Sequence, residues 1–186
     1  MAETKAAGPP PTERTLHEAA LAHLARYGTT RQGLVRVLDR RVERWARAVG
    51  DADPELVRAA KAAARTVADR LVAAGAVDDA AFAASRARSL ARSGRSRRAI
   101  AAHLASRGVD GDVTQAVLPE DAEADLAAAV AFARRRRIGP FRRGETDLPR
   151  ELGMFGRAGF SREIAMQALA LAPDVAEAML IRLRQS

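Results

Sequence analysis

Leu24-Ala25-Arg26-Tyr27-Gly28-Thr29-Thr30-Arg31 and Leu90-Ala91-Arg92-Ser93-Gly94-Arg95-Ser96-Arg97 are one pattern written twice, at a constant offset of 66 residues. The register continues beyond the quoted stretch. Leu34 matches Ile100, Leu38 matches Leu104 and Arg41 matches Arg107. Phe132-Ala133-Arg134 opens a third copy, whose second helix is delayed by a loop, after which Phe155, Gly159 and Phe160 answer Leu104, Gly108 and Val109. Each copy reads as a helix, a tight turn with a hydroxyl cap, a second helix and a third. A unit this short cannot bury its apolar face alone, so neighbouring copies must stack. The expected fold is all-α, tandem three-helix repeats stacked into an elongated curved array. Its segments are a disordered tail over 1–12, a first repeat over 13–75, a second over 76–118, and a third over 119–186 with a C-terminal helix.

The local signals agree with helices. Hydrophobic residues make up 48% of the chain but aromatics only 4%, so the apolar content is mainly Ala, Leu and Val. Ala and Leu are among the best helix formers, whereas strands would want more β-branched and aromatic residues. Leu16, Ala20, Leu24 and Tyr27 recur at helical spacing before Gly28, and Leu34, Val37, Leu38, Val42 and Trp45 form the next stripe. Asp53-Pro54-Glu55 is a helix start, followed by Leu56, Ala60, Ala63, Val67 and Leu71 on the inward face. Asp78 caps a fourth helix bearing Phe82, which is expected to be buried between copies. Ser96 caps a fifth, which Gly108 ends with Val109 as the hydrophobic contact of a Schellman-type stop.

The formal net charge is +8, and Lys5 and Lys61 are the only lysines among 31 basic residues. Such a balance favours nucleic acid or acidic protein surfaces as partners. There is no cysteine, which excludes disulfides and thiolate chemistry. No apolar run reaches the length of a membrane span, and Gly8-Pro9-Pro10-Pro11 stands where a signal peptide would need an apolar stretch. The chain is expected in the cytosol. His17, His23 and His103 are the only histidines, and no constellation for metal, nucleophilic or acid–base catalysis surrounds them. Asp78 and Asp79 are adjacent, so on a helix they point about 100° apart. They suit a cap and a first turn better than a metal or proton site. No catalytic residue, cofactor or metal is expected.

The arginines recur at one place in each copy. Arg86, Arg88, Arg92, Arg95, Arg97 and Arg98 crowd the turn of the second copy, and Arg134, Arg135, Arg136 and Arg137, with Arg142 and Arg143, crowd that of the third. Arg26 and Arg31 hold the place in the first. Stacked copies would align these groups into a positive stripe that suits a phosphate backbone or an acidic groove, although a solvated face is the alternative. Few Asn, Gln or aromatic residues accompany them, so base-specific readout is not supported.

Gly75-Ala76-Val77-Asp78-Asp79-Ala80-Ala81-Phe82-Ala83 resembles the most recognisable motif of the RecX family, a glycine, a hydrophobic residue, then Asp-Asp-x-x-Phe-Ala. Gly94-Arg95-Ser96-Arg97-Arg98-Ala99-Ile100 with Leu104, Arg107, Gly108 and Val109 is similar to the second family signature. Arg157-Ala158-Gly159-Phe160-Ser161 with Ile164 and Leu169 is similar to the third. Order and spacing agree over roughly Leu16 to Leu171. The resemblance implies tandem three-helix repeats and a monomeric, non-catalytic regulator lying along the groove of the RecA–DNA filament. There it would lower ATPase and strand-exchange activity and so modulate DNA repair and the SOS response, with possible direct contact to DNA. Val42 departs from the pattern, standing where the other copies have glycine, so the first copy's second helix is expected to run on through Trp45. The loop Ile138–Thr146 and the helix from Pro173 are further departures. A helix-turn-helix module reading DNA through Ser96–Arg107 is the competing possibility, but Ala101, Ala102 and Ala105 leave that helix few side chains for base edges.

Overall fold

Ser, Thr and Asp side chains set nearly every helix start. In the computed structural model, which describes residues 8–145 and 147–185, the elements are α1 (Glu13–Leu24), α2 (Arg31–Val49), α3 (Pro54–Ala73), α4 (Asp79–Arg92), α5 (Arg97–Arg107), α6 (Gly111–Val117), α7 (Ala122–Arg136), a 3-10 turn (Gly139–Phe141), α8 (Leu148–Arg157), α9 (Arg162–Ala170) and α10 (Pro173–Gln185). No strand occurs among the described residues. The side chains of Thr12, Thr30, Asp53, Asp78, Ser96, Asp110, Asp121, Asp147 and Ser161 each accept a first-turn N–H of the helix that follows. Caps of this kind contribute about 0.5–2 kcal/mol each. Of the tail expected over Met1–Thr12, residues 1–7 lie outside the described residues. Thr12 caps α1, and the Gly8 carbonyl accepts the Trp45 indole N–H at 2.8 Å.

The helix ends repeat as faithfully as the starts. Beyond α3, α4, α5, α7 and α8 the N–H of Ala76, Arg95, Val109, Ile138 and Phe160 reaches back to the carbonyl of Leu71, Leu90, Leu104, Ala133 and Phe155, at 2.9, 3.0, 3.1, 3.1 and 3.1 Å. That is the Schellman bond, and it requires a left-handed residue one step earlier. Gly75, Gly94, Gly108 and Gly159 supply it, but after α7 the residue is Arg137, at φ 58°. These bonds also fix the phase of the third copy. Ala133 is the counterpart of Leu90, one residue later than the sequence register, which matched Phe132. The reason lies in α7, which is buried on all sides from Ala127 to Ala133 and so carries no amphipathic stripe to set a phase.

Contacts divide the chain into two units, Met1–Phe82 and Ala83–Ser186. In the first, α1, α2 and α3 enclose Leu16, Ala20, Leu34, Leu38, Val42, Ala60, Ala64, Val67, Ala68, Leu71 and Val77. Val42 is fully buried and α2 continues to Val49, as its departure from glycine suggested. Three expected core residues are elsewhere. Tyr27 lies beyond the end of α1 and is 61% exposed, and Leu56 is exposed in the first turn of α3, one turn ahead of Ala60, where the buried stripe begins. Phe82 is half-buried, and Val77 is the apolar residue that closes the turn before α4. Asp78 caps α4 as expected, accepting the Ala81 N–H at 2.9 Å. Asp79 does more than occupy a first turn. Its Oδ1 accepts the Arg31 N–H at 2.7 Å, fastening the start of α4 to the N-terminus of α2.

In the second unit α7 is the central helix, packed against α9, α10 and the 3-10 turn. Phe132, Phe155 and Phe160 form an aromatic trio with ring centroids 4.9–5.6 Å apart. The turn between α4 and α5 is wedged into this assembly. A Cβ on Gly94 would stand 2.5 Å from the Phe132 nitrogen, so only glycine lets that turn touch the α7 backbone. Ser96, 2% exposed, caps α5 and also donates from Oγ to the Ala158 carbonyl at 2.7 Å, at the end of α8. The second and third copies therefore interlock through Gly94, Ser96 and Gly159.

Candidate anion-binding site

Three helix C-termini meet at that joint. The turn after α4 brings Arg95, the last turn of α7 brings Arg135 and Arg136, and α8 presents Arg150, Met154 and Arg157 at i, i+4 and i+7, one face of the helix. Partial negative charge at the ends of α4, α7 and α8 favours cations there, which offsets some of the cost of gathering them. Together with Gly94, Ala99, Phe132 and Ala158 these side chains line a pocket of about 470 Å³, and no carboxylate is among the lining residues. The Arg135 and Arg136 guanidinium carbons lie 5.8 and 5.7 Å from the Phe132 ring centroid, a cation–π geometry. Partial burial, then the charges of Arg136 and Arg95, push the Arg135 pKa below arginine's ordinary value, although it stays charged at neutral pH.

The counter-charges are placed elsewhere. The eight ion pairs described engage Arg14, Arg31, Arg58, Lys61, Arg70, Arg97, Arg134 and Arg142, and none of the five pocket arginines. Arg97 is turned away from the pocket, bonding the Leu118 carbonyl at 3.2 Å and Glu120 at 3.0 Å. Nearby Asp125 has its pKa raised, chiefly by burial, with Arg97 opposing and Asp121 and Glu120 adding to the rise. Arg134 pairs with Glu177 at 3.3 Å. Arg92 and Arg137 are exposed outside the pocket, and Arg98 lines a separate one beside Gly159 and Ser161. Arg26 and Arg31 belong to the first unit, where Arg31 is held by Asp69 at 2.5 Å. Of the arginines singled out in the sequence, the structure therefore brings Arg95, Arg135 and Arg136 to one pocket.

Arg150 and Arg157 complete the pocket; in the sequence Arg157 stands only as part of a family signature and Arg150 is not singled out. Their i, i+7 spacing was the available signal, but what turns that face toward α7 is the loop before α8. Arg142, grouped in sequence with the basic turn, instead forms a two-pronged ion pair with Glu151, at 3.0 and 2.8 Å, and Glu151 is only 5% exposed. This tie fixes the loop to the first turns of α8. His103 accepts the Arg86 Nε–H at 3.1 Å and is half-buried. Among the described residues no group of three or more His, Asp or Glu is placed to hold a metal ion, and no single helix is long and apolar enough to cross a membrane.

The fold and site define an all-α protein of three-helix domains with an acid-free cationic pocket. Residues 78–118 match the family model described as the second three-helix domain of RecX. The chain is 38% identical over 161 residues to the regulatory protein RecX of Myxococcus xanthus, an alignment covering 83% of each. It is 44% identical over 108 residues to the regulatory protein RecX of Agrobacterium fabrum, covering 56% of this chain and 58% of that one. For the Mycobacterium avium protein of the same name the identity is 37% over 107 residues, covering 55% and 62%. Against the last two, the matched part is less than two thirds of the relative's length. This chain belongs to the RecX family of regulatory proteins.

Proposed function

We propose that this RecX-type regulator works in the cytoplasm by binding the RecA–DNA filament and inhibiting the recombinase and its ATPase, which modulates DNA repair and the SOS response. It does so without turning over a substrate of its own. The observation that supports this most is the pocket of five arginines with no acid among its lining residues. Filament grooves carry phosphate and carboxylate together, and the guanidinium fork binds either in two-pronged fashion. Arg92, Arg98 and Arg137 are further exposed cations of the same unit, and we include Arg26 and Arg31 of the first unit among the residues that meet the filament. The helix-turn-helix alternative is the weaker reading, since Ala102 and Ala105 take up part of the exposed face of α5 and leave Arg98, Ser106 and Arg107 as its exposed donors.

The test is RecA's DNA-dependent ATPase, titrated with wild type and with a variant carrying Arg95, Arg135, Arg136 and Arg157 all changed to Ala. Single changes should give graded losses, because one exposed arginine contributes about 1 kcal/mol or less. The quadruple variant should lose most inhibition, and salt should weaken the wild type, since each neutralised phosphate releases a counterion. Equal inhibition by a folded quadruple variant would remove the pocket from the filament contact.

A further inference from the structure

The pocket beside Gly94 gathers more positive charge than one phosphodiester can neutralise. Arg95, Arg135, Arg136, Arg150 and Arg157 face a cavity of about 470 Å³, within the size range of small-molecule sites. None of the five is among the described ion pairs, although the same protein pairs eight other basic residues. The pocket is also rigidly built. Gly94 lies on the α7 backbone, Ser96 is bonded to the end of α8, and the Arg142–Glu151 pair holds the α8 face that carries Arg150 and Arg157. A strand phosphate brings one negative charge and its neighbours lie along an extended backbone, so most of the crowding would remain. A short polyphosphate brings several charges, each on oxygens that match the guanidinium fork, into one small volume.

We propose that this pocket is a binding site for a compact polyphosphate, the chemical class of inorganic tripolyphosphate and of a nucleotide's triphosphate tail. The proposal shares this pocket with the filament reading, which can also engage the exposed arginines outside it, and RecA is left out of the test so that the two readings fail separately. The full chain is titrated calorimetrically, at fixed ionic strength, with tripolyphosphate, with ATP and with citrate as an anion of several charges without phosphate. Tripolyphosphate and ATP should bind at least about ten-fold more tightly than citrate, because the five forks match phosphate oxygens clustered along one chain. Changing Arg135 and Arg150 together to Ala should weaken both by about ten-fold or more, whereas changing Arg182 and Arg184 to Ala, on α10, should leave them within about two-fold. Circular dichroism confirms that each variant is folded. Citrate binding as well as tripolyphosphate, or equal losses from the two pairs of substitutions, would reduce the site to diffuse positive charge and overturn the proposal. So would a short oligodeoxynucleotide that binds more tightly than tripolyphosphate and loses its affinity with Arg135 and Arg150, since the pocket would then belong to strand phosphates.

Discussion

Replacing Gly94 by Ala tests how the second and third copies are joined. Gly94 has φ 73°, and an added Cβ would lie 2.5 Å from the Phe132 nitrogen, 2.7 Å from its Cα and 2.9 Å from the Ala131 carbonyl carbon. All three contacts are with backbone inside a buried helix, so no side chain can swing away. Two costs follow. The left-handed conformation costs an alanine roughly 1–2 kcal/mol, less a few tenths recovered from the stiffer unfolded chain. Overpacking against α7 adds about 1–3 kcal/mol. The expected total is about 2–4 kcal/mol. The two parts can be separated within the same unit, because Arg137 is exposed and already left-handed, at φ 58°. The stability difference between Arg137→Gly and Arg137→Ala measures the conformational cost alone, about 1 kcal/mol in favour of glycine. Urea unfolding followed by far-UV circular dichroism gives all three values. If Gly94→Ala loses no more than the Arg137 pair differs by, the turn does not rest on the α7 backbone and the interlock is wrong.

Two further outcomes follow from buried polar groups. Changing Glu151 to Ala removes the carboxylate that Arg142 holds through two bonds. Because the Arg142 side chain is already 25% exposed and can turn to water, we expect a measurable loss of stability that is smaller than for a fully buried pair. Urea unfolding of Glu151→Ala and of the double variant lacking Arg142 as well measures it, and additive losses would show that the two side chains are not coupled. Burial, then the charges of Arg86, Arg107 and Arg95, lower the pKa of His103, so between the folded and unfolded values the unfolded chain binds more protons. Its contribution to stability is therefore complete above about pH 6.5 and declines as the pH falls toward the folded pKa. The urea midpoint should drop on acidification through that window in the wild type and less in His103→Gln, whose amide oxygen can still accept from Arg86; parallel curves would contradict the assignment.

What the sequence made legible is what short-range chemistry encodes. Ser96 and Asp78 are caps because their oxygens answer N–H groups three residues away, and Gly108-Val109 and Gly159-Phe160 end helices in the same way because both satisfy one local bonding pattern. Val42 could be read for the same reason, since removing a glycine removes a stop. Reading failed where packing decides. Tyr27 and Leu56 have helical spacing, but their exposure depends on where α1 ends and on how far along α3 its packing begins. Arg142 and Arg150 are both arginines near one turn. Only the buried carboxylate of Glu151 makes the first a fastener and leaves the second facing the pocket.

Helix ends explain why the cationic site and the structural joint occupy one place. A C-terminal turn needs a residue that can take the left-handed conformation, it favours basic side chains, and it exposes carbonyls that a neighbouring cap can bond. Gly94 with Arg95, Arg137 after Arg135 and Arg136, and Gly159 after Arg157 each combine the first two features, and Ala158 supplies the carbonyl that Ser96 bonds. Stacking three such ends therefore brings their arginines together, before any requirement of binding acts. What stacking does not explain is the lack of acids around them in a chain that holds 23 Asp and Glu, including Glu120, Glu151 and Glu177 in ion pairs within the same unit. A carboxylate at the position of Met154 or Ala99 would relieve the crowding of Arg135 by Arg136 and Arg95. Its absence leaves like charges unrelieved in a rigid pocket, which is the arrangement an anionic partner would complete.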